Sequence, residues 1–282
     1  MQLRRNVSGL LVISLIAVGP ASANAQELSG EPVASSDQAP QLTQGPESHP
    51  PPEHTGFGSL VKDTGQDFLA FPRRRSTWVI LAIGGGAAAL VHPIDETANA
   101  HLQGSAAVGR FFAPGKYLGS AYTQVGVALG LYTVGRFVVP KVEGEPQTNR
   151  WSHLGFDLLR AQIVSQAITH GIKASVRRDR PDGSCCAFPS GHAATAFAAA
   201  SVIERHFGYR GSWPTMLAAS YVAASRLVHN RHYLSDVVFG SAVGLTSGWT
   251  VVGRHGRATM SFMPVPVPIR GGMVLAFTRT TP

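Results

Sequence analysis

Charge is scarce in this chain. Of its 282 residues, 14% are Asp, Glu, Lys or Arg, against roughly 25% in ordinary soluble domains. Hydrophobic residues fill 44%, so a charge-rich disordered protein is excluded. Cysteine is scarcer still: there are two, Cys185 and Cys186, and they are adjacent. No disulfide framework staples a small fold. Acidic residues are outnumbered, 16 against 24 Lys and Arg, for a formal net charge of +8. That balance suits an anionic partner such as a phosphate ester, an acidic lipid headgroup or nucleic acid. Long apolar runs are lacking at the N-terminus, where residues 10–18 fall short of the roughly 20 needed to cross a bilayer.

What is present at the N-terminus is an export pattern. Arg4 and Arg5 precede that short apolar run, and Gly19, Pro20 and small residues with Ala-x-Ala spacing follow up to Ala25. Residues 1–25 read as a secretory signal peptide, which makes the protein periplasmic or otherwise part of a cell envelope. Residues 26–56 are rich in Pro, Gln, Ser, Glu and Gly without apolar periodicity, and read as a disordered linker.

From Phe57 the periodicity is helical, and small residues that permit close helix approach recur. Helices are expected over 57–71, 78–91, 117–139, 151–173, 191–207, 213–228 and 234–252, with 208–214 as a loop. Pro and Val alternate over 264–268, Gly271-Gly272 follows, and 273–277 is apolar. This spells a small hairpin with an edge strand. The expected fold is all-α: a bundle of about six helices over 57–254 with a small C-terminal β-hairpin in an extension over 255–282.

Two features argue against reading every helix as a membrane span. Asp157, Arg160, Gln162 and Gln166 make one helix polar, and Glu204-Arg205-His206 interrupts another; such groups are costly in lipid unless they face inward. Parity is the second: if all three helices from 78 to 173 spanned after export, the loop beyond Lys173 would lie in the cytoplasm. The expectation is a periplasmic bundle, at most membrane-associated, with a membrane surface as partner.

Chemistry-bearing residues gather in three clusters. Lys173 is followed by Arg180-Pro181; Pro189-Ser190-Gly191-His192 opens an Ala-rich helix; Ser225-Arg226 is followed by His232 and then Asp236. Taken singly, Lys173, Arg180 and Arg226 are ordinary surface or interfacial cations. Together they supply a bidentate fork twice over and a point charge, the groups that bind phosphate oxygens. Ser190 and Gly191 at a helix start offer free N–H groups and the positive end of a dipole, and Ser190 is also an ordinary N-cap. His232 and Asp236 share a face if both lie on a helix. A carboxylate on one imidazole nitrogen leaves the other nucleophilic. His192, from another helix, can protonate a leaving oxygen.

The spacings K-x(6)-R-P, P-S-G-H and S-R-x(5)-H-x(3)-D resemble the signature of the type 2 phosphatidic acid phosphatases. That superfamily also holds bacterial class A acid phosphatases and vanadium haloperoxidases. The resemblance covers about 157–254; residues 57–150 carry no assigned motif. It implies that His232 attacks phosphorus to form a phosphohistidine, that Asp236 orients it, and that His192 is general acid and then base. Lys173, Arg180, Arg226, Ser190 and the Gly191 amide then hold the phosphoryl oxygens, with no metal and no cofactor. The implied substrate is a phosphorylated lipid or a small phosphomonoester. The alternatives are a vanadate-dependent haloperoxidase and a non-catalytic anion-binding envelope protein. Export and the lack of an aromatic–basic surface pattern argue against nucleic acid. Arg177 and Arg178, in the variable positions of the first cluster, read as solvated surface, with an extension of the positive field as the alternative. Cys185 and Cys186 are open to a vicinal bridge, free thiols or an intermolecular link.

Overall fold

A computed structural model describes residues 55–103, 105–140 and 148–253, together with the backbone of 263–269 and 272–278. The expected signal peptide and almost all of the expected linker lie outside the described residues. The linker's last two residues are described, and Thr55 is packed: it is buried, and its carbonyl accepts from the Tyr132 hydroxyl.

Helices account for the fold. They are α1 (Phe57–Arg73), α2 (Arg75–Val91), α3 (Asp95–Leu102), α4 (Ala106–Phe112), α5 (Gly115–Leu118), α6 (Ala121–Thr133), α7 (Arg150–Val176), α8 (Gly191–Val228) and α9 (Leu234–Val251). The fold class is all-helical, as expected. In the tail, the backbone of Met263–Ile269 runs antiparallel to that of Gly272–Thr278; the fold class rests on the helices alone.

Local sequence explains the boundaries. α7 starts at a reciprocal cap: the Asn149 side chain accepts from the N–H groups of Trp151 and Ser152 at 3.1 and 3.0 Å. The N–H of Asn149 in turn donates to the Ser152 hydroxyl at 3.1 Å, so helix-end donors are satisfied in both directions. α7 ends where Arg177 turns left-handed, φ 49°. The single helix expected over 117–139 is instead α5, α6 and a π turn at Val134–Val138, and the short α3 and α4 were not foreseen. At eight and seven residues they are too short to show a helical period.

α8 is two arms joined at one non-helical residue, Gly208, with φ 73° and ψ 165°. The arms fold back on each other. Ala193 packs beside Ala223 and Leu227, and Ala196 and Ala200 pack beside Ala219 and Val222. The expected seven-residue loop is thus a reversal at Gly208, and Pro214 lies inside the second arm.

The core is made by small residues that bring backbones together. On α9 a Cβ at Gly240, Gly244 or Gly248 would lie 2.5, 2.3 or 2.6 Å from the carbonyl oxygens of Ser190, Ala194 and Ala198. That stripe seats α9 against the first arm of α8. Ala128, Leu154, Leu158, Val164, Ala198 and Val202 fill the space between α6, α7 and α8. The polar residues of α7 face inward: Arg160 contacts Asp157 at 3.2 Å and forks onto Asp67 of α1 at 2.9 and 2.8 Å. His206 reaches the same Asp157 at 2.9 Å. The polarity of α7 therefore does not weigh against lipid around the bundle. The stretch Arg75–Leu102 is the one among the described residues long and apolar enough to cross a membrane, and it is largely exposed. Trp78, Ile83 and Leu90 of α2 and Tyr122 and Val127 of α6 point outward.

Candidate active site

Because the arms of α8 reverse, three helix ends and two connections meet at one end of the bundle. Lys173 stands in the last turn of α7. Ser190 caps α8 and His192 lies in its first turn; Arg226 closes the second arm. His232 sits in the turn before α9, and Asp236 is in that helix's first turn. His232 is therefore not on a helix with Asp236, contrary to the expectation from their spacing. The chain reaches the same proximity through a turn.

The His232–Asp236 pair is close: Nδ1 of His232 is 3.7 Å from the Asp236 carboxylate, and both side chains are almost wholly buried. This is ion-pair range, beyond hydrogen-bond length. Asp236 Oδ2 also accepts from the Tyr233 N–H at 2.8 Å. With Nδ1 toward Asp236, Nε2 of His232 is the nitrogen left for chemistry. Burial holds the imidazole pKa below its usual value, opposed by the carboxylate and supported by the Lys173 and Arg226 charges. The ring is thus kept neutral, as a nucleophile must be.

The cations influence one another through the same space. Lys173 is pushed down to about 8 by burial and then by the charge of Arg180, with Asp236 opposing. Arg226 is lowered to about 10 by burial, then by Arg231 and Arg180. Their Nε atoms are telling: Arg180 Nε and Arg226 Nε are buried with no hydrogen-bond partner among the described residues. Unpaired buried donors are costly, and an acceptor oxygen of an anion would satisfy them. The Lys173 ammonium donates to the carbonyls of Cys186 and Ala187 at 2.6 and 3.2 Å. Cys185 and Cys186 are bonded to each other, so of the three possibilities the structure has the vicinal bridge.

Ser190 is fully buried, and its hydroxyl stands 3.5 Å from the Ala193 N–H, a cap too long to hold the oxygen. A Cβ on Gly191 would meet Lys173 Cε at 4.0 Å, which places the lysine beside the turn. His192 is half-buried; its Nε2 lies 3.2 Å from the Lys116 carbonyl. Its pKa falls to about 4 through burial, then through Arg226 and His232. All eight residues singled out from the sequence gather at this end of the bundle.

Sequence reasoning missed a second layer. Arg178 is not solvated surface; it donates to Asp236, Ser235 and Asp95. Its place inside the variable stretch of the first cluster was a signal, but nothing around Asp95 was. Arg177 is the exposed one. Two clefts adjoin Arg178. One, of about 350 Å³, is apolar and walled by Gly85, Ala88 and Ala89 of α2 with Val176 and Phe188. The other, of about 430 Å³, is lined by Asp95, Glu96, Asp179 and Tyr233 among others.

One metal-type cluster occurs among the described residues, away from these groups: His153, Asp157 and His206, with ligand atoms within 4.8 Å of one another. Arg160 holds the other oxygen of that carboxylate, so a cation is already in place, and the cluster is a buried ion-pair network.

Residues 183–260 match the family model described as the PAP2 superfamily, which bears out the resemblance drawn from the three clusters. The chain is 45% identical over 96 residues to a lipid A 1-phosphatase of Porphyromonas gingivalis, covering 33% of this chain and 21% of that protein. It is 26% identical over 111 residues to a lipid A 4'-phosphatase of Helicobacter pylori, covering 35% and 56%. It is 39% identical over 96 residues to a decaprenylphosphoryl-5-phosphoribose phosphatase of Mycobacterium tuberculosis, covering 30% and 52%. The chain thus spans between about a fifth and just over half of these relatives' lengths. Among solved structures, a transmembrane PAP2-type phosphatidylglycerolphosphate phosphatase of Bacillus subtilis is similar over 64% of this chain and 94% of its own, at 20% identity and a TM-score of 0.49.

Proposed function

With the PAP2 superfamily match of residues 183–260 as premise, we propose that the protein is a phosphatase that removes a phosphomonoester group from a membrane lipid, through a phosphohistidine on His232. The observation that carries this is the set around that histidine. A buried neutral imidazole has one nitrogen toward a carboxylate and feels the charge of Arg226, whose buried Nε donor has no hydrogen-bond partner among the described residues. A pure anion binder has no need of the imidazole–carboxylate pair.

The reaction has two steps. Nε2 of His232 attacks phosphorus while the phosphorus–oxygen bond to the lipid breaks. The leaving alkoxide takes a proton from His192, whose pKa of about 4 in the free enzyme is raised by the negative charge of the bound phosphate. Lys173, Arg180, Arg226 and the N–H groups of the Ser190–Gly191 turn carry the charge on the three remaining oxygens, which is where phosphoryl transfer is catalysed. Water then attacks the phosphohistidine, giving up a proton to His192, and inorganic phosphate leaves with His232 restored. No step calls on a metal.

The lipid class rests on two supports. The three relatives are each named for removing phosphate from a lipid or lipid-linked sugar, and an apolar cleft walled by α2 adjoins the cluster. The exposed apolar faces of α2 and α6 favour work at a membrane surface, on the extracytoplasmic side if the N-terminal export pattern acts.

The test is phosphate release by the full chain in detergent with EDTA. The substrates are lipid A, phosphatidate and an isoprenoid-linked sugar phosphate, each assayed also with His232→Ala. Release from at least one lipid and its loss in the variant are expected. Release only from small soluble esters refutes the lipid substrate. Equal release by both proteins refutes the role of His232. Vanadate-dependent halide oxidation in place of hydrolysis overturns the reaction class.

A further inference from the structure

The superfamily match starts at residue 183, and the residues implied in catalysis begin at Lys173. Asp236 nevertheless contacts Arg178, which precedes the first, and through it Asp95, which precedes both. Arg178 Nη1 donates to Asp236 Oδ1 at 2.9 Å and to the Ser235 hydroxyl at 2.7 Å. Its other terminal nitrogen donates to Asp95 Oδ2 at 2.9 Å. Asp95, at the start of α3, accepts in addition from the N–H of Ser235 at 2.9 Å and its hydroxyl at 2.5 Å. The guanidinium also stacks over Tyr233, 4.2 Å from the ring centroid. The Asp95 side chain is 3% exposed and that of Asp236 is not exposed at all.

We infer that Arg178 and Asp95 are positioning residues for Asp236: one guanidinium ties the carboxylate of the His232 pair to a second carboxylate delivered by the helix that follows α2.

The physical reasoning is short. Asp236 has two oxygens and a rotatable side chain. Oδ2 is the oxygen that meets the Tyr233 N–H and Nδ1 of His232. Oδ1 must be held elsewhere if Oδ2 is to stay there, and Arg178 holds it. An arginine in a carboxylate's fork is itself mobile unless its other nitrogens are fixed, and Asp95 fixes them. One part-buried guanidinium between two buried carboxylates also offsets half of their combined charge. Asp95 in turn locks the start of α9 through Ser235. This gives the otherwise motif-free first half of the chain a place in the site. The stretch Arg75–Leu102, the candidate membrane segment, carries Asp95, which holds the arginine that orients the nucleophile's partner.

Arg178 and Asp95 touch no phosphoryl oxygen in this account, and that separates them from Lys173, Arg180 and Arg226. Their loss must act on the attack of His232 and hardly at all on phosphate binding.

The inference rests on the phosphatase reading, and the experiment keeps the two apart. Steady-state kinetics on a substrate cleaved by the wild type, with inorganic phosphate as a competitive probe, are measured for Arg178→Gln, Arg178→Lys and Asp95→Asn. Arg177→Gln, next door but exposed, is the control. Arg178→Gln and Asp95→Asn are expected to lower kcat about tenfold to a hundredfold, the range seen when an outer partner of an active group is lost. KM and the inhibition constant for phosphate should stay within about threefold. Arg178→Lys should recover part of kcat, and Arg177→Gln should match wild type. In a double-mutant cycle with Asp236→Ala, Arg178→Gln should cost almost nothing further, whereas with Lys173→Ala its cost should add in full. Additive losses with Asp236→Ala overturn the inference, as does a weakened phosphate constant at constant kcat, or normal kcat in all three variants. If Arg178→Gln fails to fold, Asp95→Asn and Arg178→Lys carry the same cycle. A wild type that hydrolyses nothing overturns the phosphatase reading and the inference with it; an active wild type and dead His232→Ala beside a normal Arg178→Gln overturn the inference alone.

Discussion

The backbone N–H of Ser190 donates to the carbonyl of Asp236 at 2.9 Å. This single bond joins the turn that offers N–H groups to an anion and the helix start that carries the partner of His232. The proposed phosphate seat and the proposed nucleophile are thereby held in one frame, with Gly240 of α9 against the same turn.

Gly240→Ala tests that frame. Its new Cβ would fall 2.5 Å from the Ser190 oxygen and 3.0 Å from the Ser190 nitrogen, a backbone clash that cannot be relieved by turning a side chain. Overpacking of this kind costs about 1–3 kcal/mol. The expected outcome is a lower melting temperature together with at least a tenfold loss of kcat/KM, checked by calorimetry and kinetics on the folded fraction. Unchanged kinetics would show that the turn and α9 move independently.

The alkaline limb of kcat/KM is expected near pH 8. Lys173 is lowered to about 8, so it is charged below that pH and loses its proton as pH rises through it. A phosphate-binding charge is then lost from the free enzyme, whose ionisations kcat/KM reports. Lys173→Arg, which stays charged, is expected to remove this limb from the pH profile. A limb that stays near pH 8 in the arginine variant would assign it to another group.

Gly119→Ala probes His192. A Cβ there would meet Val222 Cγ1 at 2.3 Å and His192 Cβ and Cδ2 at 3.2 Å, pushing the imidazole from the Lys116 carbonyl. If His192 protonates the leaving oxygen, the loss should be severe for alkyl phosphates and about tenfold smaller for p-nitrophenyl phosphate, whose leaving group needs no proton. Comparing formation rates of the phosphoenzyme on the two substrates checks this; equal losses would point to displacement of the phosphate site instead.

How much of this was legible in the sequence follows from what each signal depends on. Lys173, Arg180, Ser190, Gly191, His192, Arg226, His232 and Asp236 were readable because their spacing is fixed by short connections at one end of three helices. The all-helical class was readable because α1 carries an amphipathic pattern and α2, α7, α8 and α9 are long runs rich in apolar and small residues. The reversal at Gly208 looked like a longer loop because Pro214 and Ser212 are loop-like in composition, yet Ser212 is buried and helical. Arg178 looked like its neighbour Arg177, because the sequence does not say that α7 ends at Arg177 and turns the next side chain inward. Asp95 was invisible: its partners are Arg178 and Ser235, 83 and 140 residues away, and only tertiary structure joins them. Polar residues such as Asp157 and Arg160 were read against lipid, but burial on Asp67 and His206 explains their composition.

The most direct measurement is chemical trapping of the intermediate. The full chain is mixed with a labelled phosphomonoester that it hydrolyses, quenched in base, and analysed by mass spectrometry for acid-labile, base-stable phosphate. The account predicts one phosphoryl group on His232, absent in His232→Ala and accumulating in a His192 variant impaired in the second step. A quenched enzyme carrying no phosphate at any time, or carrying it on another residue, would contradict it.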